Sequence, residues 1–370
     1  MIFFATCAKG TEGPLRRELV DLRIRAPRGD TGGVSFEGSF DDGMKTCLWS
    51  RVAVRVLLEV AAFSARDADD LYLGTHATDW TRHLTTRTTF AVSATVQGNA
   101  SLRHSGFAAL KVKDAVADAL RDRLGSRPDV VPENPDVALV LHLRGHEARL
   151  YLDLAGEPLH RRGHRVAMVD APLKETLAAA VLAIGRVDPD LPFVDPMAGS
   201  GTLAIEHALA ARRLAPGLGR RFGFERWPDQ DGHLRRWEAL KSQARQSARS
   251  AAPAPIAARD VSPEAVAAAQ RNAAAAGVAS DIEFAVADVG DLSASAGTIC
   301  FNPPYGERLT QASLDDLYAR IATTLRARHG CAAVVLSGNP RFDRAMGGRP
   351  AISHRLWNGP LEARLLRYDL

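Results

Sequence analysis

A chain of 370 residues is too long for one ordinary domain, so two or three are expected. Hydrophobic residues make up 46% and charged residues 24%, which excludes a disordered chain. The net charge of +4 and pI of about 9.0 are compatible with a polyanionic partner without requiring one. The four cysteines, Cys7, Cys47, Cys300 and Cys331, form no CxxC pair, so neither a zinc site nor a disulfide framework is expected. The histidines show no metal spacing, no apolar run reaches the roughly 20 residues that span a bilayer, and the N-terminus lacks the basic region of a signal peptide. The expectation is a reduced, cytoplasmic protein with no metal and no membrane partner.

Ile2 to Thr6 reads as a buried strand and Gly10 to Leu22 as a helix with Leu15, Leu19 and Leu22 on one face. Val34 to Glu37 alternates as a strand, Phe40 to Ser50 is helical, and Val52 to Val60 is again a strand. This β-α-β-β-α-β order over residues 1–60 predicts a ferredoxin-like unit. A second unit starts near Asp67, with a helix from Leu71 to Trp80 and a strand from Thr89 to Val96. A strongly periodic helix from Ala108 to Leu124 follows, then strands Val137–Leu143 and Glu147–Leu154. The polar, basic stretch 155–170 reads as a connector.

From about Ala171 to Leu370 strands and helices alternate, which predicts a doubly wound, mostly parallel α/β sheet with ligands at the carboxyl ends of its strands. The expected strands are Phe193–Val194, Ile256–Arg259, Ile282–Val286, Thr298–Phe301, Ala332–Leu336 and Leu361–Tyr368. The expected helices are Lys174–Ile184, Thr202–Arg212, Pro263–Ala276 and Leu314–Arg328, with Ser262 capping the third.

Four strand ends carry chemistry. Asp195-Pro196-Met197-Ala198-Gly199-Ser200-Gly201 places two glycines between a strand and a helix, where a ligand can approach the backbone and meet exposed N–H groups. The next strand-end acid, Asp260, lies too far on for a simple dinucleotide fold, but suits a ribose. Asp288, at the third strand end, can accept from an adenine amino group. Asn302-Pro303-Pro304-Tyr305 follows the fourth strand. Its prolines fix the turn, the Asn302 amide oxygen and the Pro303 carbonyl can accept both hydrogens of an exocyclic NH2, and Tyr305 offers a flat face to a base. That pattern points to methyl transfer onto an amino nitrogen. Basic residues cluster twice: Arg161, Arg162, His164 and Arg165, and a longer stretch from Arg212 to Arg249 that includes Arg220 and Arg221; for a single charge solvated surface is the ordinary reading. Phe222, Phe224, Trp227 and Trp237 interleave with the second, which suggests RNA stacking.

These motifs resemble the bacterial 23S rRNA guanine-N2 methyltransferases, a THUMP-domain class of S-adenosylmethionine enzymes. The carriers of the resemblance are Asp70-Leu71-Tyr72-Leu73-Gly74, Lys111-Val112-Lys113-Asp114-Ala115, Lys174 to Ala180, the Asp195–Gly201 turn, Asn302 to Leu309, and Asn358-Gly359-Pro360-Leu361. The resemblance implies a Rossmann-like class I methyltransferase domain over 171–370, behind an RNA-gripping ferredoxin-like module and a THUMP domain at about 47–154. It implies S-adenosylmethionine as donor, with Thr176, Asp195, Pro196, Met197, Ala198, Gly199 and Gly201 near its methionine portion. Asp260 would hold the ribose, Asp288 the adenine, and Asn302 the transfer site. Lys111, Lys113, Arg161, Arg162, Arg220 and Arg221 are expected on RNA, in 23S rRNA or a pre-50S particle, with a monomer favoured. Ala198 departs from the cysteine of similar enzymes, a change between small residues. Some relatives continue into a second methyltransferase domain making 7-methylguanine, an activity not expected of a chain ending at Leu370. Alternatives are N2-methylguanine formation in tRNA, methylation of DNA adenine or a glutamine amide, and a non-catalytic RNA-binding assembly factor.

Overall fold

The computed structural model describes residues 1–168, 173–229, 231–305 and 311–370. In β1 (Ile2–Thr6) alternate residues Phe3 and Ala5 are buried. Helix α1 (Glu12–Asp21) covers them with Leu15 and Leu19. β2 (Arg25–Asp30) and β3 (Gly33–Glu37) follow, and α2 (Phe40–Trp49) starts at a Ser39–Asp42 capping box. β4 (Arg55–Ser64) leads to α3 (Ala68–Ala77), whose first N–H groups bond the Asp67 carboxylate. β5 (Phe90–Gln97), α4 (Ser105–Leu124), β6 (Val137–Arg144) and β7 (Glu147–Asp153) complete the N-terminal half. All seven strands form one sheet in the order β2-β3-β1-β4-β7-β6-β5. The ferredoxin-like and THUMP portions therefore share a sheet, with β4 pairing β1 on one side and β7 on the other.

Two differences from the sequence reading have local causes. β2 is an edge strand of mostly exposed polar residues, so it has no apolar alternation to read. The strand expected from Val52 begins at Arg55 instead. Val52 and Ala53 are buried, but in a turn clasped by Glu18, which accepts from the Ser50 hydroxyl at 2.6 Å and the Arg51 N–H at 2.6 Å. Burial without pairing looks the same as a strand in sequence.

The second sheet orders β10-β9-β8-β11-β12-β14-β13. Its elements are α5 (Glu175–Ile184), β8 (Phe193–Asp195), α6 (Thr202–Ala211), α7 (His233–Gln246), β9 (Ile256–Asp260), α8 (Pro263–Ala275), β10 (Ile282–Val286) and β11 (Gly297–Phe301). α9 (Gln311–Arg326), β12 (Cys331–Ser337), α10 (Pro340–Met346), β13 (Ile352–Asn358) and β14 (Leu361–Asp369) follow. β10, β9, β8, β11 and β12 run parallel, and β14 is antiparallel to both neighbours. The chain leaves β8 towards β9 on one side and returns at β11 on the other, so the switch point lies beyond Asp195. α7, α10 and β13 were not anticipated. Among the described residues no helix is long and apolar enough to cross a membrane.

The two sheets are joined by packing. Phe222, Phe224, Trp227 and Trp237 are buried in the N-terminal core. Trp237 meets Phe224 edge-on at 5.1 Å, and Phe224 meets Phe40 at 6.0 Å. They cannot stack on RNA bases, which corrects the expectation drawn from their interleaving with arginines. Those arginines serve the same join: Arg236 pairs with Asp41 at 2.7 Å, and Arg226 donates to the Asn134 amide oxygen at 2.7 Å.

The described part of the expected connector, residues 155–168, likewise makes buried contacts. Arg162 is buried against Glu206 of α6 at 3.2 Å and donates to the carbonyls of Leu159 at 2.9 Å and Arg51 at 2.6 Å. Arg51 in turn donates to the carbonyls of Leu209 at 3.1 Å and Leu214 at 2.6 Å. Arg162→Ala removes the nearer cation from buried Glu206 and leaves it Arg51, 3.9 Å away and not hydrogen-bonded to it. The expected loss is about 3–5 kcal/mol of stability, read as a lowered urea midpoint. An unchanged midpoint would contradict this account of the join.

Candidate active site

β8 delivers Asp195, fully buried, to the switch point, where its carboxylate accepts from the Met197 N–H at 3.1 Å. Pro196 is buried, and the turn folds back so that the Ala198 N–H reaches the Arg259 carbonyl at 2.8 Å. Gly201 caps α6 with a φ of 83°, and a Cβ there would come within 2.9 Å of the Ala269 Cβ on α8. Only glycine meets both demands, so the turn lies tight on α8 and the N-terminus of α6 faces the site. β9 delivers Asp260, whose carboxylate accepts from the Gly199 N–H at 2.8 Å and the Ser262 N–H at 3.0 Å. Asp195 and Asp260 are thus brought together. Burial, and secondarily the Asp260 charge, push the Asp195 carboxyl up to about 8, against the opposing Met197 hydrogen bond. A cradle with two acids and one reluctant charge favours a cationic ligand.

Asp288 sits at the end of β10, as expected, but is already engaged. It accepts from the Gly290 N–H at 2.8 Å and pairs with Arg320, which holds its carboxyl below the ordinary value. Thr176 is buried in the first turn of α5. Beside it runs a strap that the sequence reading missed. Arg165 pairs with Glu175 at 2.8 Å and donates to the Leu173 carbonyl at 2.7 Å and the Thr202 hydroxyl at 3.3 Å. Asn272 of α8 accepts from the N–H groups of Val166 at 2.9 Å and Ala167 at 2.8 Å, and donates to the Ser200 carbonyl at 3.1 Å. Its only sequence signal is an amide on the buried face of an alanine-rich helix.

β11 delivers the Asn302–Tyr305 loop. The Asn302 amide oxygen is buried and has no hydrogen-bond partner among the described residues. The Pro304 carbonyl accepts from the Tyr318 hydroxyl at 2.8 Å. The expected Gly306–Leu309 extension lies outside the described residues.

The six basic residues expected on RNA divide. Lys111 and Lys113 line a groove of about 360 Å³ with Tyr72, Arg127 and Val130. Arg161 and Arg221 are exposed, the former paired with Glu157. Arg162 is excluded by its buried pair with Glu206. Arg220 is committed to the Pro158 carbonyl at 2.8 Å and the Phe222 ring at 4.9 Å, which corrects the expectation for both.

The parallel run, the antiparallel strand beyond it, the glycine turn at the switch point and the Asn-Pro-Pro-Tyr loop define a class I methyltransferase domain, here behind ferredoxin-like and THUMP domains. Such a domain takes its methyl group from S-adenosylmethionine. Residues 162–366 match the RMKL-like methyltransferase domain, residues 65–153 the THUMP domain and residues 2–57 the RlmL ferredoxin-like domain. The chain belongs to the RMKL-like methyltransferase family. It is 42% identical to the ribosomal RNA large subunit methyltransferase K/L of Syntrophotalea carbinolica, over 100% of this chain and 53% of that protein. The chain thus spans about half the length of the first curated relatives it matches. It is 36% identical to the "Putative RNA methyltransferase slr0064" of Synechocystis sp., over 100% of this chain and 96% of that one. Among solved structures, "SMU.472, a putative methyltransferase complexed with SAH" superposes with a TM-score of 0.90 at 30% identity, covering 99% of this chain and 97% of that one.

The raised Asp195 carboxyl makes a signed pH prediction. Its value exceeds the ordinary 3.8, so the ligand-free fold holds that proton more tightly than the unfolded chain does. The contribution of Asp195 to stability therefore falls as pH rises from about 4 to about 8. A cationic ligand beside the ionised form offsets that loss. Thermal stabilisation by S-adenosylmethionine should accordingly grow from roughly pH 6 to pH 8, and Asp195→Asn should flatten the trend. Scanning fluorimetry showing equal shifts at both pH values would refute the assignment.

Proposed function

We propose that this chain is a cytoplasmic S-adenosylmethionine-dependent RNA methyltransferase that forms N2-methylguanine in 23S rRNA, free or in a pre-50S particle. The family target would be guanine 2445. The observation that carries this reading is the buried amide oxygen of Asn302, just past β11, which has no hydrogen-bond partner among the described residues. A buried acceptor without a donor costs free energy, and an exocyclic NH2 supplies the missing donor. In the proposed site Asn302 and the Pro303 carbonyl accept the two amino hydrogens and turn the nitrogen lone pair away from the base ring. Charge develops on that nitrogen during transfer, and the two fixed acceptors stabilise it through its hydrogens. Tyr305 supports the base. Asp195, Asp260, Gly199 and Gly201 would hold the donor, which supplies an electrophilic methyl group. No strong base is required, because the methylated nitrogen is acidic enough to lose its proton to water.

The ferredoxin-like and THUMP portions support RNA as the polymer, and the K/L names of the relatives support the large ribosomal subunit. Asn302→Ala is expected to keep donor affinity and lose about 10²–10³-fold in transfer. Calorimetry and a labelled-methyl assay measure the two; near-normal transfer would sink the two-acceptor mechanism. Replacing Lys111 and Lys113 with glutamine should weaken RNA binding and reduce its log-log salt slope by about 0.9 for each phosphate no longer neutralised. An unchanged slope would place the RNA elsewhere. Nucleoside mass spectrometry of rRNA and tRNA from cells lacking the protein identifies the target. Loss of N2-methylguanine from tRNA alone would replace the ribosomal reading.

A further inference from the structure

The Asn358-Gly359-Pro360-Leu361 hairpin has no role in the mechanism so far, yet it reaches the active-site loop. β13 and β14 pair until Asn358 opposes Leu361, and Gly359, at a φ of 62°, makes the turn. At that end the Asn358 amide donates to the Tyr305 hydroxyl at 3.0 Å. The Tyr305 ring also lies on Gly338, just past β12. A Cβ at position 338 would come within 2.8 Å of two ring carbons, so no larger residue leaves the ring where it is. One residue earlier, the Pro304 carbonyl is held by Tyr318 of α9. Burial pushes the Tyr318 hydroxyl up to about 12, so it stays protonated and donates. The loop is thus fixed at Pro304, at the Tyr305 ring face and at the Tyr305 hydroxyl, while the Asn302 amide oxygen remains without a partner among the described residues.

We propose that Asn358 is a positioning residue for methyl transfer: it fixes the Tyr305 ring as the platform for the target base, without touching donor or base itself. This rests on the reading of Tyr305 as that platform. A phenol ring free to turn at the end of a loop would sample many orientations. The hydrogen bond at its tip fixes the direction of the ring axis, and the Gly338 backbone beside the ring restricts rotation about that axis. The entropy of ordering the ring is then met in folding and not when the base arrives. The effect belongs to capture and orientation of the base, so it should appear in the RNA term and not in donor binding.

The test is a double-mutant cycle on the full chain, using labelled S-adenosylmethionine and total rRNA from cells lacking the protein. Asn358→Ala removes the donor; Tyr305→Phe removes the acceptor while keeping the ring and leaving the hairpin intact. Each single variant should lower kcat/KM for RNA about 5- to 10-fold, the worth of one hydrogen bond, with donor affinity unchanged. The double variant should be no worse than the poorer single one, because both remove the same hydrogen bond. Multiplying losses, unchanged kcat/KM in Tyr305→Phe, or a donor affinity that falls in step with transfer would each overturn the proposal. If Asn358→Ala does not fold, Tyr305→Phe alone decides it. Absence of transfer by the unmodified protein, with donor still bound, would instead count against the ribosomal substrate.

Discussion

The rest of the molecule depends on a buried ion pair, Arg162 with Glu206, backed by Arg51. Glu206 lies on α6, the helix whose first turn forms one wall of the glycine cradle. Arg51 follows α2 of the N-terminal sheet, and Arg162 comes from the segment between the two sheets. One carboxylate thus ties the N-terminal half to the helix that shapes the proposed donor site. Two charges taken out of water contribute little net stability compared with an apolar pair of the same size. Their value here is directional: each guanidinium also donates to backbone carbonyls, which ties the pair to this docking of the two halves.

That arrangement changes what the arginine-rich middle of the chain means. A count of positive charge from Arg212 to Arg249 suggests a nucleic-acid face. In the fold, Arg212 bonds the Gly277 carbonyl at 2.8 Å, Arg236 pairs with Asp41, Arg249 pairs with Asp190, and Arg226 reaches Asn134. The aromatic residues among them form part of the N-terminal core. The middle of the segment between α6 and β9 therefore packs on the first half of the protein, while Arg212 and Arg249 at its ends bond within the second.

Much of the fold was legible because period and punctuation agree. The expected strands match β8 and β9, which end at Asp195 and Asp260, and β10 and β11, which stop just short of Asp288 and Asn302, and Ser262 caps α8 as expected. What escaped shares one physical character: its identity is set by contacts distant in sequence. β13 is an edge strand with a mixed burial pattern, α7 buries only His233, Trp237 and Ala244, and β2 is polar. The strap residues Arg165 and Asn272 are defined by partners as far as 106 residues apart. Residue type singles out Asn302 and the two acids as candidates, but not that Asp195 would be so reluctant to ionise, since burial is not a local property.

β13 also meets the turn that follows β1. Lys9 sits 3.9 Å above the Trp357 ring, and the Gly10 carbonyl lies 2.6 Å from His354. With the arginine pair at one side and this edge contact at another, the groove of Lys111 and Lys113 proposed to grip RNA and the amide proposed to grip the base stand at a set separation. An enzyme built in this way works as a gauge. It would choose among the many guanines of a large RNA by whether a folded segment spans that interval, so the tertiary shape of the RNA, more than the bases flanking the target, would carry the address.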